Sequence, residues 1–209
     1  MKKTGDVRFE DFSDCTDFAF PLDRFNPDGV RGVGLMVYSY GALLNKATGS
    51  RFFCSERMAE ALKDKGRTKS MDSILRFMDA WKGDISGLSI SDGFLFIDGF
   101  PRDVDEATRN DYLKLSMAMV AYANQHPMMV RAKRIVPENE KYCMRAWLIR
   151  LGLNGKEFSS VRKTMSRNLS GNNCYKSDAD NKAFNDRYAA LGRERRAAAR
   201  AARESVQND

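Results

Sequence analysis

The sequence predicts a mainly α fold with a small β-hairpin: an α+β helical bundle ending in a helix-turn-helix-like hairpin and a basic tail helix. Three observations predict it. From Val30 onward apolar residues recur at steps of three and four, the period of one helix face. Residues 88 to 97 alternate instead, about an Asp-Gly pair that suits a tight β-turn. Beyond residue 130 the chain turns basic in two amphipathic stretches joined by a glycine-containing turn.

Residues 1–29 interleave Asp6, Glu10, Asp11, Asp14, Asp17, Asp23 and Asp28 with Phe9, Phe12, Phe18, Phe20 and Phe25, without a regular period. They predict a poorly ordered or extended acidic arm, its phenylalanines stapling it to the protein's own core or docking in a partner's groove. A single core domain is expected over residues 30–175, and a basic Ala/Arg-rich helix over 176–209.

Val30, Val33, Val37, Tyr40, Leu44 and Ala47 mark the inner face of the first core helix, which Gly49 ends. Ser55 suits the N-cap of a second helix carrying Met58, Ala61 and Leu62 inward, with Gly66 as a left-handed stop. Ser70 caps a third, in which Ile74, Phe77, Met78 and Trp81 form the buried stripe and Gly83 terminates. In the hairpin 88–97, pairing across Asp92-Gly93 sets Ile90 opposite Leu95 and Leu88 opposite Ile97, while Phe94 and Phe96 share the other face with serines. Those two rings suit stacking on unpaired bases; burial between helices is the competing expectation, because one hairpin is marginal by itself. Asp103 with Glu106 forms a capping box for a long helix through Leu115, Met119 and Tyr122 toward His126. Met117, Met119, Met128 and Met129 suit adaptable core packing better than a metal site.

The helical pair 137–169 carries the most information. Pro137 suits a first helical position, Glu138 and Glu140 complement the positive end of the dipole, and Met144, Leu148 and Leu151 line an inner face up to Gly152. Leu153-Asn154-Gly155 then leads into a second helix with Phe158, Val161, Met165 and Leu169 inward and Lys156, Lys163 and Arg167 outward. This is the outline of a DNA-binding helix-turn-helix, and equally of a structural hairpin with solvated lysines. Past Phe184, Tyr188 and Leu191 the tail becomes a run with five arginines in the eleven residues from Arg193 to Arg203. Such a run suits a helix that orders on a polyanion, or a solvated tail.

Charge sharpens the reading. The formal charge is +7, yet residues 1–130 hold 17 basic and 19 acidic side chains, and residues 131–209 hold 18 and 9. A charge of −2 thus faces one of +9, and concentrated positive charge attracts DNA or RNA by counterion release. The candidate nucleic-acid-binding residues are Arg131, Lys133, Arg134, Lys156, Arg162, Lys163, Arg167, Arg193, Arg196 and Arg200. A basic solubilising surface is the plainer alternative.

Enzyme chemistry is not expected. His126 is the one histidine, so histidine triads and multi-histidine metal centres are absent. Cys15, Cys54, Cys143 and Cys174 are far apart without a C-x-x-C pair, no Gly-Lys-Ser/Thr phosphate loop occurs, and the carboxylate pairs 103/105, 138/140 and 178/180 fit helix starts. No cofactor is expected. Met-Lys-Lys leads into Thr-Gly-Asp rather than an apolar run, and no stretch suits a membrane span, so a cytoplasmic protein with reduced thiols is the expectation.

Three blocks carry a family resemblance: residues 38–49 (YSYGALLNKATG), residues 139–155 (NEKYCMRAWLIRLGLNG), and Arg162-Lys163 continuing to the Asn168-Leu-Ser-Gly171 run. They resemble the virulence-related proteins carried by phages, plasmids and integrative elements of gut bacteria. Cys143 stands where the family pattern suggests a plain apolar residue. The resemblance implies a mobile-element accessory role in a bacterial host cell and brings no established activity, cofactor or catalytic residue. Residues and resemblance together lead to an expected partner that is nucleic acid or a nucleoprotein. The alternative is a host defence protein, such as a CRISPR or other defence nuclease, that the chain inhibits.

Overall fold

The computed structural model describes residues 18–126, Val130 and 132–207, with the backbone alone at Asp178 and over 199–207. Residues 1–17, which hold most of the expected arm, lie outside, as do Met128, Met129 and Arg131. Mainly helical (62%), the chain has seven helices and small antiparallel sheets among the described residues, an α+β fold. Two compact units divide it: residues up to Val136 with Met144–Leu169, and Pro137–Cys143 with Ser170 onward.

The first unit is built around α1 (Pro27–Thr48). Asn26 caps it by accepting from Gly29, and Gly49 ends it at φ 72°. Every residue of the expected stripe from Val30 to Ala47 is buried, and burial extends around most of the helix. Two glycines permit this. A Cβ on Gly32 would stand 3.0 Å from the Ala123 Cβ of α4 (Glu106–Gln125), and one on Gly41 would meet the Phe52 backbone at 3.3 Å. The amide of Asn45 fixes the chain reversal after α1, donating to the Phe52 carbonyl and accepting from the Phe52 N–H, each at 2.8 Å.

The arm joins the body sooner than its acidic composition suggests. β1 (Ala19–Pro21) pairs with β5 (Phe94–Phe96), which pairs in turn with β4 (Ser89–Ser91). The hairpin register is the expected one, Ile90 opposite Leu95, with Asp92 at φ 49° and Gly93 at φ 79° making the turn. Phe20, Leu95 and Ile97 are fully buried on the core face. A second ladder pairs β2 (Phe53–Cys54) with β3 (Ile85–Ser86).

Several helix ends fall elsewhere than expected. α2 (Glu56–Lys63) takes Ser55 as N-cap but ends at Asp64, so Gly66 sits in a following 3-10 turn without positive φ. The Asp64 carboxylate accepts from Gly66 N–H and makes a left-handed stop unnecessary. α3 (Met71–Ala80) has the Ser70 cap, reciprocated by Ser73, and stops at Trp81 rather than Gly83; Trp81 is half-exposed and stacks on Phe77. α4 is capped by Asp105, not Asp103, because Thr108 gives Asp105 both its N–H and its hydroxyl at 2.8 Å. α5 (Glu140–Arg150) begins after Asn139, which accepts from Tyr142 N–H, instead of at Pro137.

In the second unit Glu140 accepts from the N–H and hydroxyl of Ser170, and Asn139 donates to the Tyr175 carbonyl. There α7 (Asp178–Gln207) runs for 30 residues, with Phe184 packed between Tyr175 and Tyr188.

Candidate nucleic-acid interface

α5 ends in a Schellman motif that sets up the basic helix after it. Gly152 takes φ 89°, its N–H reaches Ile149 O at 3.0 Å, and Leu153 N–H reaches Leu148 O at 2.9 Å. Eight residues, 151–158, separate α5 from α6 (Ser159–Ser166), more than the three or four of a DNA-binding helix-turn-helix. Val161 and Met165 are fully buried beneath α6, and Leu169 nearly so. Ser160 and Thr164 reach back to the buried Asp111 of α4, so α6 is held by apolar and polar contacts together.

This anchoring decides which side chains face water. Lys163, on α6, and Arg167, the residue that ends it, are exposed one turn apart, and Lys156 is exposed in the 3-10 turn Lys156–Phe158 just before α6. Among the described residues of the first unit no ion pair engages them. Arg167 lies close enough to Tyr112 to oppose the rise in its phenol pKa that burial causes. Arg162 points the other way: its Nη1 donates to the carbonyls of Leu153 and Gly155, each at 2.8 Å, and clamps the turn. Its guanidinium is thereby committed to structure.

The other candidates belong to other segments of the chain. Lys133 and Arg134 are exposed on an extended segment held to α1 by Ile135 N–H donating to Ser39 O at 3.1 Å. The Arg134 guanidinium stands 5.4 Å from the centroid of the Tyr38 ring, a cation–π distance. Arg193 and Arg196 are exposed on α7, Arg196 donating to the Gly192 carbonyl. Arg131 lies outside the described residues, and so does the side chain of Arg200.

One feature had no sequence signal. At the end of β5 a cleft of about 330 Å³ is walled by Phe18, Phe96, Phe100, Asp98, Arg102 and Arg109. Phe18 and Phe96 are 78 positions apart, so only the folded sheet unites them.

The blocks behind the family resemblance are occupied with structure. Tyr40 stacks on Trp147 at 4.2 Å and accepts from Arg150, Asn45 ties the chain reversal, and Gly152 ends α5. Among the described residues no helix is long and apolar enough to cross a membrane, and no group of three His, Cys, Asp or Glu side chains is placed to hold a metal ion. Comparison with family models, curated proteins and solved structures finds no match for this chain.

Proposed function

We propose that this chain is a non-enzymatic accessory protein of a mobile genetic element that binds DNA or RNA, free or in a nucleoprotein, through its basic C-terminal portion. The observation that carries the reading is the exposed pair Lys163 and Arg167, one turn apart at the C-terminal half of α6, a helix locked to the core by its buried residues and by Asp111, with exposed Lys156 in the short turn before it. Ammonium and guanidinium groups at those positions suit phosphates, and rigid anchoring spares the helix an ordering cost on binding. Arg162 serves as a positioning residue, shaping the turn that presents Lys156. Lys133 and Arg134 in the first unit, and the arginines of α7 in the second, are further cations of the kind that attract a polyanion. The family resemblance supports the mobile-element setting.

The test is a gel-shift titration with single- and double-stranded DNA and RNA over a salt series. Three phosphate contacts should weaken binding about 40-fold between 50 and 200 mM salt, since each contributes about 0.9 to the logarithmic slope. No binding at 50 mM salt removes the reading.

A second reading is favoured by α7, on which Phe184, Tyr188 and Leu191 are 42, 63 and 43% exposed at helical spacing. Such a stripe suits a groove on a host protein, as an inhibitor of a defence nuclease would use. Tyr188→Ala should then abolish that association and leave nucleic-acid binding untouched.

A further inference from the structure

We propose that the outer face of the three-stranded sheet is a stacking platform for bases of a single-stranded nucleic acid, spread over Phe94 and Phe96 toward the cleft beside Arg102. This rests on the reading of the chain as a nucleic-acid binder and assigns a second, differently built site on it.

The register makes the platform. Residues directly opposite one another on antiparallel strands share a face, so Phe94 and Phe96 stand in the central strand with Pro21 and Ala19 on one side and Ser91 and Ser89 on the other. Small neighbours leave the rings prominent: Phe94 is 39% exposed and Phe96 half-buried. The core does not need them there, because Phe20 and Leu95 on the opposite face are already fully buried. Solvated aromatic rings two positions apart on a small sheet are what unpaired bases stack on.

Their spacing selects the ligand. The ring centroids lie 6.3 Å apart, nearly twice the roughly 3.4 Å between neighbouring bases along one strand of a duplex. Two consecutive bases must be drawn apart to use both rings, which a flexible single strand does at far less cost than a duplex whose bases are already paired and stacked.

The cleft extends the platform at the Phe96 end. Its volume of about 330 Å³ falls in the range of sites that enclose a small ligand, roughly 300–1,000 Å³, and admits one base. The Asp98 carboxylate in its wall, which accepts from Ser89 Oγ at 3.3 Å, can accept a base N–H. Exposed Arg102 stands where a phosphate would follow. With Asp98, Asp103 and Asp105 close in sequence to Arg102, the region carries little surplus positive charge. Stacking rather than counterion release therefore supplies the affinity here, which sets this face apart from the cations at α6.

The experiment measures binding of the full chain to a thymidine oligonucleotide of roughly 15 nucleotides, within the site sizes of sheet-based single-strand binders, and to a duplex of the same length. Phe94→Ala should weaken the single-strand complex about tenfold, by the usual strength of base–aromatic stacking. The factor should be the same at low and high salt, with the duplex complex unchanged. In Phe94→Trp, indole fluorescence should be quenched by the oligonucleotide and not by the duplex. The platform is overturned if Phe94→Ala binds the oligonucleotide as wild type does, or if Phe94→Trp binds it without quenching; the face would then belong to a protein partner. A wild-type chain that binds neither nucleic acid overturns this inference and the broader reading together, whereas duplex binding with an indifferent Phe94 overturns the platform alone.

Discussion

Thr164 donates its hydroxyl to the Asp111 carboxylate at 2.6 Å, and through that bond the cationic helix α6 is tied to α4. Ser160, one turn earlier, donates to the same carboxylate at 2.7 Å. Asp111 is 3% exposed, and a carboxylate so placed is tolerable only while donors surround it. Asp111→Ala strips both hydroxyls of their acceptor and should cost about 3 kcal/mol, by the net worth of hydrogen bonds to a charged group. The readout is the urea midpoint at constant m-value. Thr164→Val should lose about half as much, and a wild-type midpoint for Asp111→Ala would show that the grip adds no stability.

Adjacent cations on α6 should separate cleanly into two kinds. Charge reversal in the double variant K163E/R167E should leave the melting temperature near that of wild type and reduce the logarithmic salt slope of nucleic-acid binding by about two. Arg162→Ala should do the opposite, lowering stability by about 1–3 kcal/mol because two carbonyls of the turn lose their donor. An Arg162→Ala chain as stable as wild type would remove its clamping role.

At Gly32, α1 passes close to α4. An added methyl would stand 3.0 Å from the Ala123 Cβ, so Gly32→Ala must push two packed helices apart. The gain in helix propensity, about 1 kcal/mol, is smaller than overpacking costs of up to about 3 kcal/mol. A net fall in the urea midpoint is expected. The pair Gly32→Ala with Ala123→Gly should recover part of it.

Burial pushes the Cys54 thiol up from 9.0 to about 12, with Asp84 adding to the rise and Arg134 opposing it. The unfolded chain ionises this thiol first. The neutral thiol is therefore no handicap below pH 9.0, and stability is lost as pH climbs from 9.0 toward about 12. Cys54→Ala should flatten that alkaline decline relative to wild type in denaturant titrations across the window. In the native protein at pH 8, Cys54 should resist a thiol reagent that labels the exposed Cys174; equal labelling would contradict the buried assignment.

What the sequence discloses here is local, and what it withholds is set by distant partners. The α1 stripe, the Ser55 and Ser70 caps, the Asp92-Gly93 turn and the outward Lys156, Lys163 and Arg167 all follow from residues within a few positions of one another. The sequence favoured Asp103 as the cap, with Glu106 three residues on, and Asp105 takes that place because Thr108 returns its hydroxyl to it. β1 was hidden because its mate lies some 75 residues away, and the acids around it mask the alternation of Phe18 and Phe20. Arg162 looked like one more surface cation, since no local pattern announces that two carbonyls of the preceding turn will face it. The aromatic cleft depends on the same hidden strand.

The burial of α1 has a consequence for how the protein is made. One of its closing ties, from the Asn168 side chain to the Ala47 carbonyl, comes from a residue 121 positions later. At a translation speed of about 5–20 residues per second, this greasy rod waits roughly 6–24 s after synthesis before its last cover exists. A helix buried around most of its surface is thus also an early one to be exposed. Its solubility on the ribosome depends on interim collapse or on a chaperone's hold, and variants that slow the arrival of α6 should aggregate even where the finished fold tolerates them.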